Sequence, residues 1–165
     1  MQEIENGSIT SCRGFQAAGM HSGVKSDSSI KDLALVYSAI PATAAAVYTK
    51  NRVQAAPIHV AREHLQDGVA RAVILNSGNA NACTGVPGIT DARAMAKPVA
   101  TTLGLRQREV GVCSTGVIGL PMPMDRVEPG LTELADRLSS KGGTEVAEAI
   151  MTSDTTVKEI AISAT

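Results

Sequence analysis

Aromatic residues are nearly absent: one Phe, two Tyr and no Trp make up 2% of the chain, although 44% of it is hydrophobic. Ala, Val, Ile and Leu must therefore fill any core, which favours helices lying close on sheets and buries less area per side chain. Such a composition also fits further packing against a partner. An excess of either charge is missing too, since a formal net charge of −1 and a pI near 6.3 leave no electrostatic footprint for nucleic acid or an anionic membrane. No apolar run approaches the roughly 18 to 20 residues of a membrane span, so a soluble protein is expected.

Cys12, Cys83 and Cys113 are an odd number, widely spaced and without a C-x-x-C pair. Together with a start, Met-Gln-Glu-Ile-Glu, that lacks a basic stretch followed by an apolar one, they argue for a reducing cytoplasm. The histidines, His21, His59 and His64, fall in no metal-ligand spacing, so no metal is expected and each should sit at the surface or at an element edge. Nor do the glycines form a phosphate-binding loop of either common type.

What is present is the size of one domain, residues 1–165, in a mixed α/β order. Gly14 to Lys25 reads as an edge strand and loop. Residues 32–37 and 44–49 read as adjacent antiparallel strands separated by Ile40-Pro41-Ala42. Ala55 to Val60 continues extended, and Ala61 to Gln66 is a short helix ended by Asp67-Gly68. Ala72-Val73-Ile74-Leu75 is the clearest strand; Asn76 to Gly88 should be irregular. A helix capped by Thr90 or Asp91 then runs to Leu103 with a kink at Pro98. Further helices are expected over Leu131 to Leu138, with a possible start at Met124-Asp125, and over Thr144 to Met151, before a final strand from Val157 to Ile162.

Three stretches bear on chemistry. In Glu109-Val110-Gly111-Val112-Cys113-Ser114-Thr115-Gly116-Val117-Ile118-Gly119, a buried apolar strand breaks into a hydroxyl pair and a glycine. One reading is a plain strand-ending turn. The other is an oxyanion hole, where a hydroxyl and an unshielded glycine N–H converge on the oxygen that becomes negative in acyl transfer. No histidine or carboxylate lies nearby in sequence to make Ser114 or Thr115 a nucleophile. The second stretch, Asn76-Ser77-Gly78-Asn79-Ala80-Asn81-Ala82-Cys83-Thr84-Gly85, reads either as a self-satisfied polar loop or as the lining of a polar cavity, because Asn offers both donor and acceptor. Thr152-Ser153-Asp154-Thr155 divides in the same way between helix-terminal polar groups and substrate contacts. Cys113 reads as a small buried hydrophobe, which leaves Cys83 as the cysteine to watch.

These segments, with Val53-Gln54-Ala55-Ala56-Pro57, Pro123-Met124 and Ala149-Ile150-Met151-Thr152-Ser153-Asp154-Thr155, resemble in order the motifs of the ornithine acetyltransferase family, the bifunctional glutamate N-acetyltransferases of arginine biosynthesis. The resemblance covers most of the chain from Gly14 onward. It implies a precursor that cuts itself in two, this chain being the N-terminal (alpha) product and the second (beta) chain opening on a threonine nucleophile. The family's cleavage segment is absent, and the chain stops at Ser163-Ala164-Thr165. Thr165 is not expected to be the nucleophile, because an N-terminal nucleophile uses its own free α-amine as base.

By the same resemblance Thr115 and Gly116 are the oxyanion hole and Thr152 binds substrate. The same resemblance places the nucleophile, a substrate-binding lysine and the remaining substrate contacts on the portion of the family's length that this sequence does not include. Ser153 stands where many relatives have a second threonine, which keeps the hydroxyl. The implied fold is a layered αββα sandwich completed by the beta chain, and the implied assembly is a heterotetramer of two alpha and two beta chains. The implied reaction moves an acetyl group from N-acetylornithine to glutamate with no cofactor, some relatives also accepting acetyl-CoA as donor. Rival readings are a self-processing aminopeptidase or amidase of the same fold, and a non-catalytic small-molecule binding domain.

Overall fold

Four apolar segments build a sheet in the computed structural model, which describes residues 1–164; Thr165 lies outside them. Strands β2 (Phe15–Met20), β3 (Leu33–Thr43), β4 (Val69–Asn79) and β5 (Val110–Val117) lie side by side in that order. The first two junctions are antiparallel and β4–β5 is parallel. A separate ribbon pairs β1 (Gln2–Glu3) with β6 (Ile162–Ser163). The helices are α1 (Ala56–His64), α2 (Gly85–Thr102), α3 (Met124–Asp136) and α4 (Gly143–Ala149). Helix α2 is the crossover that a parallel β4–β5 pair requires.

Side chains that alternate along the strands face two layers. On one face Leu33, Leu35, Ala72, Ile74, Val110 and Val112 pack with Val60 of α1, Met95 and Val99 of α2, and Val127, Leu131 and Leu134 of α3. On the other, Ala17, Ala34 and Val36 meet Val146 and Ala149 of α4. Small residues let these layers close up: a Cβ on Gly130 would stand 3.0 Å from Leu33, and one on Gly19 would stand 2.3 Å from the Glu145 carbonyl oxygen. The mixed α/β class expected from the sequence is what the chain adopts, as one four-stranded sheet with helices on both faces and a two-stranded ribbon.

Several boundaries move. Residues 44–49 form no strand; β3 instead runs unbroken through Ile40-Pro41-Ala42, with an irregularity between Tyr37 and Ala42. Its partner β4 starts at Val69 opposite Thr43, the Ala44 N–H makes one more bond to the Gly68 carbonyl, and the chain beyond has no strand partner, so Val47 is fully exposed. Arg71 clamps the irregular part, donating to the Ser38 and Ala39 carbonyls and to the Tyr37 hydroxyl.

Ala56 to Val60 is helical rather than extended. Pro57 sits in the first turn of α1, where a missing N–H has no partner to lose. Strand β4 continues through Asn76-Ser77-Gly78 to Asn79, and α2 begins at Gly85, five residues before Thr90. Both helices that carry an internal proline, Pro98 in α2 and Pro129 in α3, run through it, so α3 is regular from Met124. Of the expected final strand only Ile162 lies in a strand, β6, and Ala161 just ahead of it accepts from the Ile4 N–H.

One buried-versus-exposed expectation also changes. Cys113 is exposed, since it lies on the face of the edge strand β5 that α4 does not reach. His64, the last residue of α1, sits at an element edge as expected and is buried there, its Nδ1–H donating to the Val110 carbonyl at 2.8 Å.

Candidate functional site

The hydroxyl-glycine stretch and the asparagine stretch are neighbours in space. Parallel pairing of β4 and β5 sets Asn76 beside Ser114, Ser77 beside Thr115 and Gly78 beside Gly116. The ladder slips between Gly78 and Asn79, and both glycines have positive φ, +104° and +130°. A Cβ on Gly116 would lie 2.4 Å from the Gly78 carbonyl carbon and 2.6 Å from the Asn79 nitrogen. Only glycine fits there, so the close strand approach and the irregular strand end depend on one another.

Strand alternation separates the two hydroxyls. Ser114 turns toward the three-helix core, where its Oγ is buried without a partner, as is Oδ1 of its neighbour Asn76. Thr115 points to the opposite face and is exposed. The Ser77 hydroxyl on that same face donates to the Ala149 carbonyl, which ties β4 to the end of α4.

The asparagines mostly satisfy the chain itself. The Asn76 Nδ2 donates to the Asn79 carbonyl at 2.8 Å. Asn79 donates to the Leu120 and Pro121 carbonyls, and its Oδ1 accepts from the Asn81 N–H. Asn81, fully buried at φ +46°, donates to the Gly88 carbonyl and accepts from Thr84 Oγ1. For Asn79 and Asn81 this is the self-satisfied polar loop rather than a cavity lining.

Thr152 follows α4 and is exposed at a cavity of about 440 Å³, shared with Lys25, Lys31, Glu148, Met151 and Asp154. Lys31 and Glu148 pair across it at 2.5 Å. Hydrogen bonding to Lys158 holds the Asp154 carboxyl below its ordinary range. Thr115 and Gly116 do not line this cavity; the link between the two places runs through Ser77 and Ala149. Cys83, at φ +57°, is exposed at a different cavity with Arg52, Gln54 and His59. No cluster of three or more potential metal ligands occurs among the described residues, and no helix among them is long and apolar enough to cross a membrane.

One arrangement had no signal in the residue spacing. Asp32, fully buried, accepts from the N–H groups of Ser22, Gly23 and Lys25 and from the Ser22 hydroxyl, with His21 Nδ1 at 3.3 Å. The loop before β3 is thereby wound around one carboxylate. The available clue was an acidic residue abutting the apolar run from Leu33 to Val36.

A family model described as the ArgJ family matches residues 16–165. The arginine biosynthesis bifunctional protein ArgJ of Caldanaerobacter subterraneus subsp. tengcongensis is 49% identical over 160 residues, 97% of this chain and 39% of that protein. Its counterpart in Streptomyces coelicolor is 48% identical over 152 residues, 92% of this chain and again 39% of that protein. The chain thus spans about two fifths of the length of these curated relatives. Among solved structures, the ornithine acetyltransferase of Mycobacterium tuberculosis complexed with ornithine matches with a TM-score of 0.89 at 42% identity, over 94% of this chain and 84% of that one. The ArgJ structure from Bacillus halodurans matches with a TM-score of 0.87 at 43% identity, over 94% and 81%.

Proposed function

Because the chain belongs to the ArgJ family, we propose that it is the N-terminal, oxyanion-bearing chain of an arginine-biosynthetic acetyltransferase that works with a second chain from the same precursor. The observation that carries this reading is the strand end at Thr115-Gly116, an exposed hydroxyl beside a glycine, with no histidine or carboxylate close to either in the sequence. Oxyanion donors without a nucleophile are half of an acyl-transfer site.

In the reaction, the second chain's N-terminal threonine Oγ attacks the acetyl carbonyl of N-acetylornithine. The carbonyl oxygen gains negative charge and is held by the Thr115 hydroxyl and the Gly116 N–H. The C–N bond then breaks, the departing amine takes the threonine's proton by way of the α-amine, and ornithine leaves an acetyl ester behind. The glutamate amine attacks that ester through the same oxyanion, and N-acetylglutamate leaves as the threonine oxygen recovers its proton. Atoms and charge balance without a cofactor; acetyl-CoA would enter as an alternative acetyl donor. Thr152 binds the amino-acid portion. The assembly is a cytoplasmic heterotetramer of two copies of each chain.

Incubating the purified assembly with N-acetylornithine and glutamate tests this directly. Formation of N-acetylglutamate with release of ornithine is expected, and intact mass spectrometry should find a second chain that begins with threonine. Ornithine and free acetate without N-acetylglutamate would instead identify an amidase, with water as acceptor.

A further inference from the structure

We propose that Lys25 is a positioning residue that sets Thr152 in register with the strand end at Gly78 and Gly116, an inference that rests on the acetyl-transfer reading for its catalytic consequence. The Lys25 ammonium donates to the Met151 carbonyl at 2.7 Å and to the Lys31 carbonyl at 3.1 Å. Met151 immediately precedes Thr152. The hydrogen bonds made by residues 152–156 among the described residues stay within residues 152–158, so the bond from Lys25 is the one that fastens this segment to the sheet side. The Ser77–Ala149 bond acts upstream of it.

The other end of the same side chain is fixed as well. The Lys25 N–H is one of the donors gathered by Asp32, at 2.8 Å, and a Cβ on Gly78 would lie 3.0 Å from Lys25 Cγ. Gly78 in turn packs backbone to backbone on Gly116. One residue therefore touches both β4, the strand packed against the oxyanion candidates of β5, and the residue just ahead of Thr152. The charge suits the place, since a cation stabilises the free carbonyls just past a helix C-terminus. Burial pulls the ammonium below its ordinary value while Asp32 opposes that pull.

The test compares Lys25→Met, which keeps the stem and removes the donor, with Lys25→Arg, which keeps a cation able to reach the carbonyl. Both are made in the assembled protein, with Lys97→Met as an exposed control. Amide hydrogen exchange at residues 151–154 is expected to accelerate about tenfold in Lys25→Met and to recover in Lys25→Arg, while exchange in the strands stays unchanged. The KM for N-acetylornithine should rise about tenfold with kcat changed far less, because a misplaced contact weakens binding more than chemistry. Unchanged exchange at 151–154, acceleration spread evenly over the chain, or an unchanged KM would overturn the assignment. Lys25→Gln serves the same comparison if Lys25→Met does not fold. Should the wild-type assembly make no N-acetylglutamate, the acetyl-transfer reading fails, and the exchange arm still decides whether Lys25 holds the segment.

Discussion

Gly116 lies against Gly78 across the parallel β4–β5 junction so closely that a Cβ on Gly116 would stand 2.4 Å from the Gly78 carbonyl carbon. Two effects oppose any larger residue there, the clash and the positive φ of +130°. Gly116→Ala is expected to cost about 2–4 kcal/mol, whereas Gly119→Ala, at φ +85° with open space around it, should cost only about 1 kcal/mol. Urea unfolding of the two variants measures the difference; equal losses would mean that conformational strain alone governs both positions.

The Thr115 side chain is exposed and makes no hydrogen bond among the described residues, so it contributes little to the fold. Thr115→Ala should leave the unfolding midpoint nearly unchanged. In the assembled protein it should lower acetyl transfer by about one to three orders of magnitude, the range found when one oxyanion donor is removed. Steady-state rates with N-acetylornithine and glutamate read this out, and undiminished turnover would remove Thr115 from the oxyanion hole.

Asp32 behaves in the opposite way, since it is wholly internal and serves four donors within 3.2 Å. Asp32→Asn replaces an acceptor oxygen by an N–H₂ that faces other N–H groups. A loss of about 2–3 kcal/mol is expected in chemical denaturation, together with faster amide exchange at residues 22–25.

Asp91 provides a pH signature. Burial, and secondarily repulsion from Glu128, raise its carboxyl above the ordinary Asp range. For an acid raised in the folded state, the ionised form disfavours folding, so the penalty is present above the folded pKa and absent below the unfolded one. Asp91→Asn should therefore raise the melting temperature by about 1–2 °C at neutral pH, and by nothing once the pH falls below the ordinary Asp range. Thermal melts at pH 7 and pH 3 decide it: a gain of the same size at both would trace to something other than charge.

Much of the local order was legible because it rests on short-range chemistry. The apolar run Ala72 to Leu75, the helix that turns Met95 and Val99 inward, and the motifs in sequence order all carry their meaning in nearby residues. The misplaced boundaries share a cause, in that each turned on a partner. Residues 44–49 have strand-like composition but no strand to pair with. Pro57, Pro98 and Pro129 look like breaks, yet they occupy positions where the fold tolerates a missing N–H. Cys113 belongs to an apolar run and is nonetheless exposed, because an edge strand is covered only where a helix happens to reach it.

By itself the sequence determined the mixed α/β class and the family, since composition, hydrophobic period and ordered motifs are properties of the chain read along its length. Tertiary structure alone decided which polar residues serve the fold and which are left over. Asn79 and Asn81 are used up by internal hydrogen bonds, Thr115 is turned outward while its neighbour Ser114 is turned in, and Asp32 gathers a loop around itself. The physical reason is that a hydrogen bond to a distant residue, and the face onto which a strand turns a side chain, exist only once the register of β4 against β5 has been fixed.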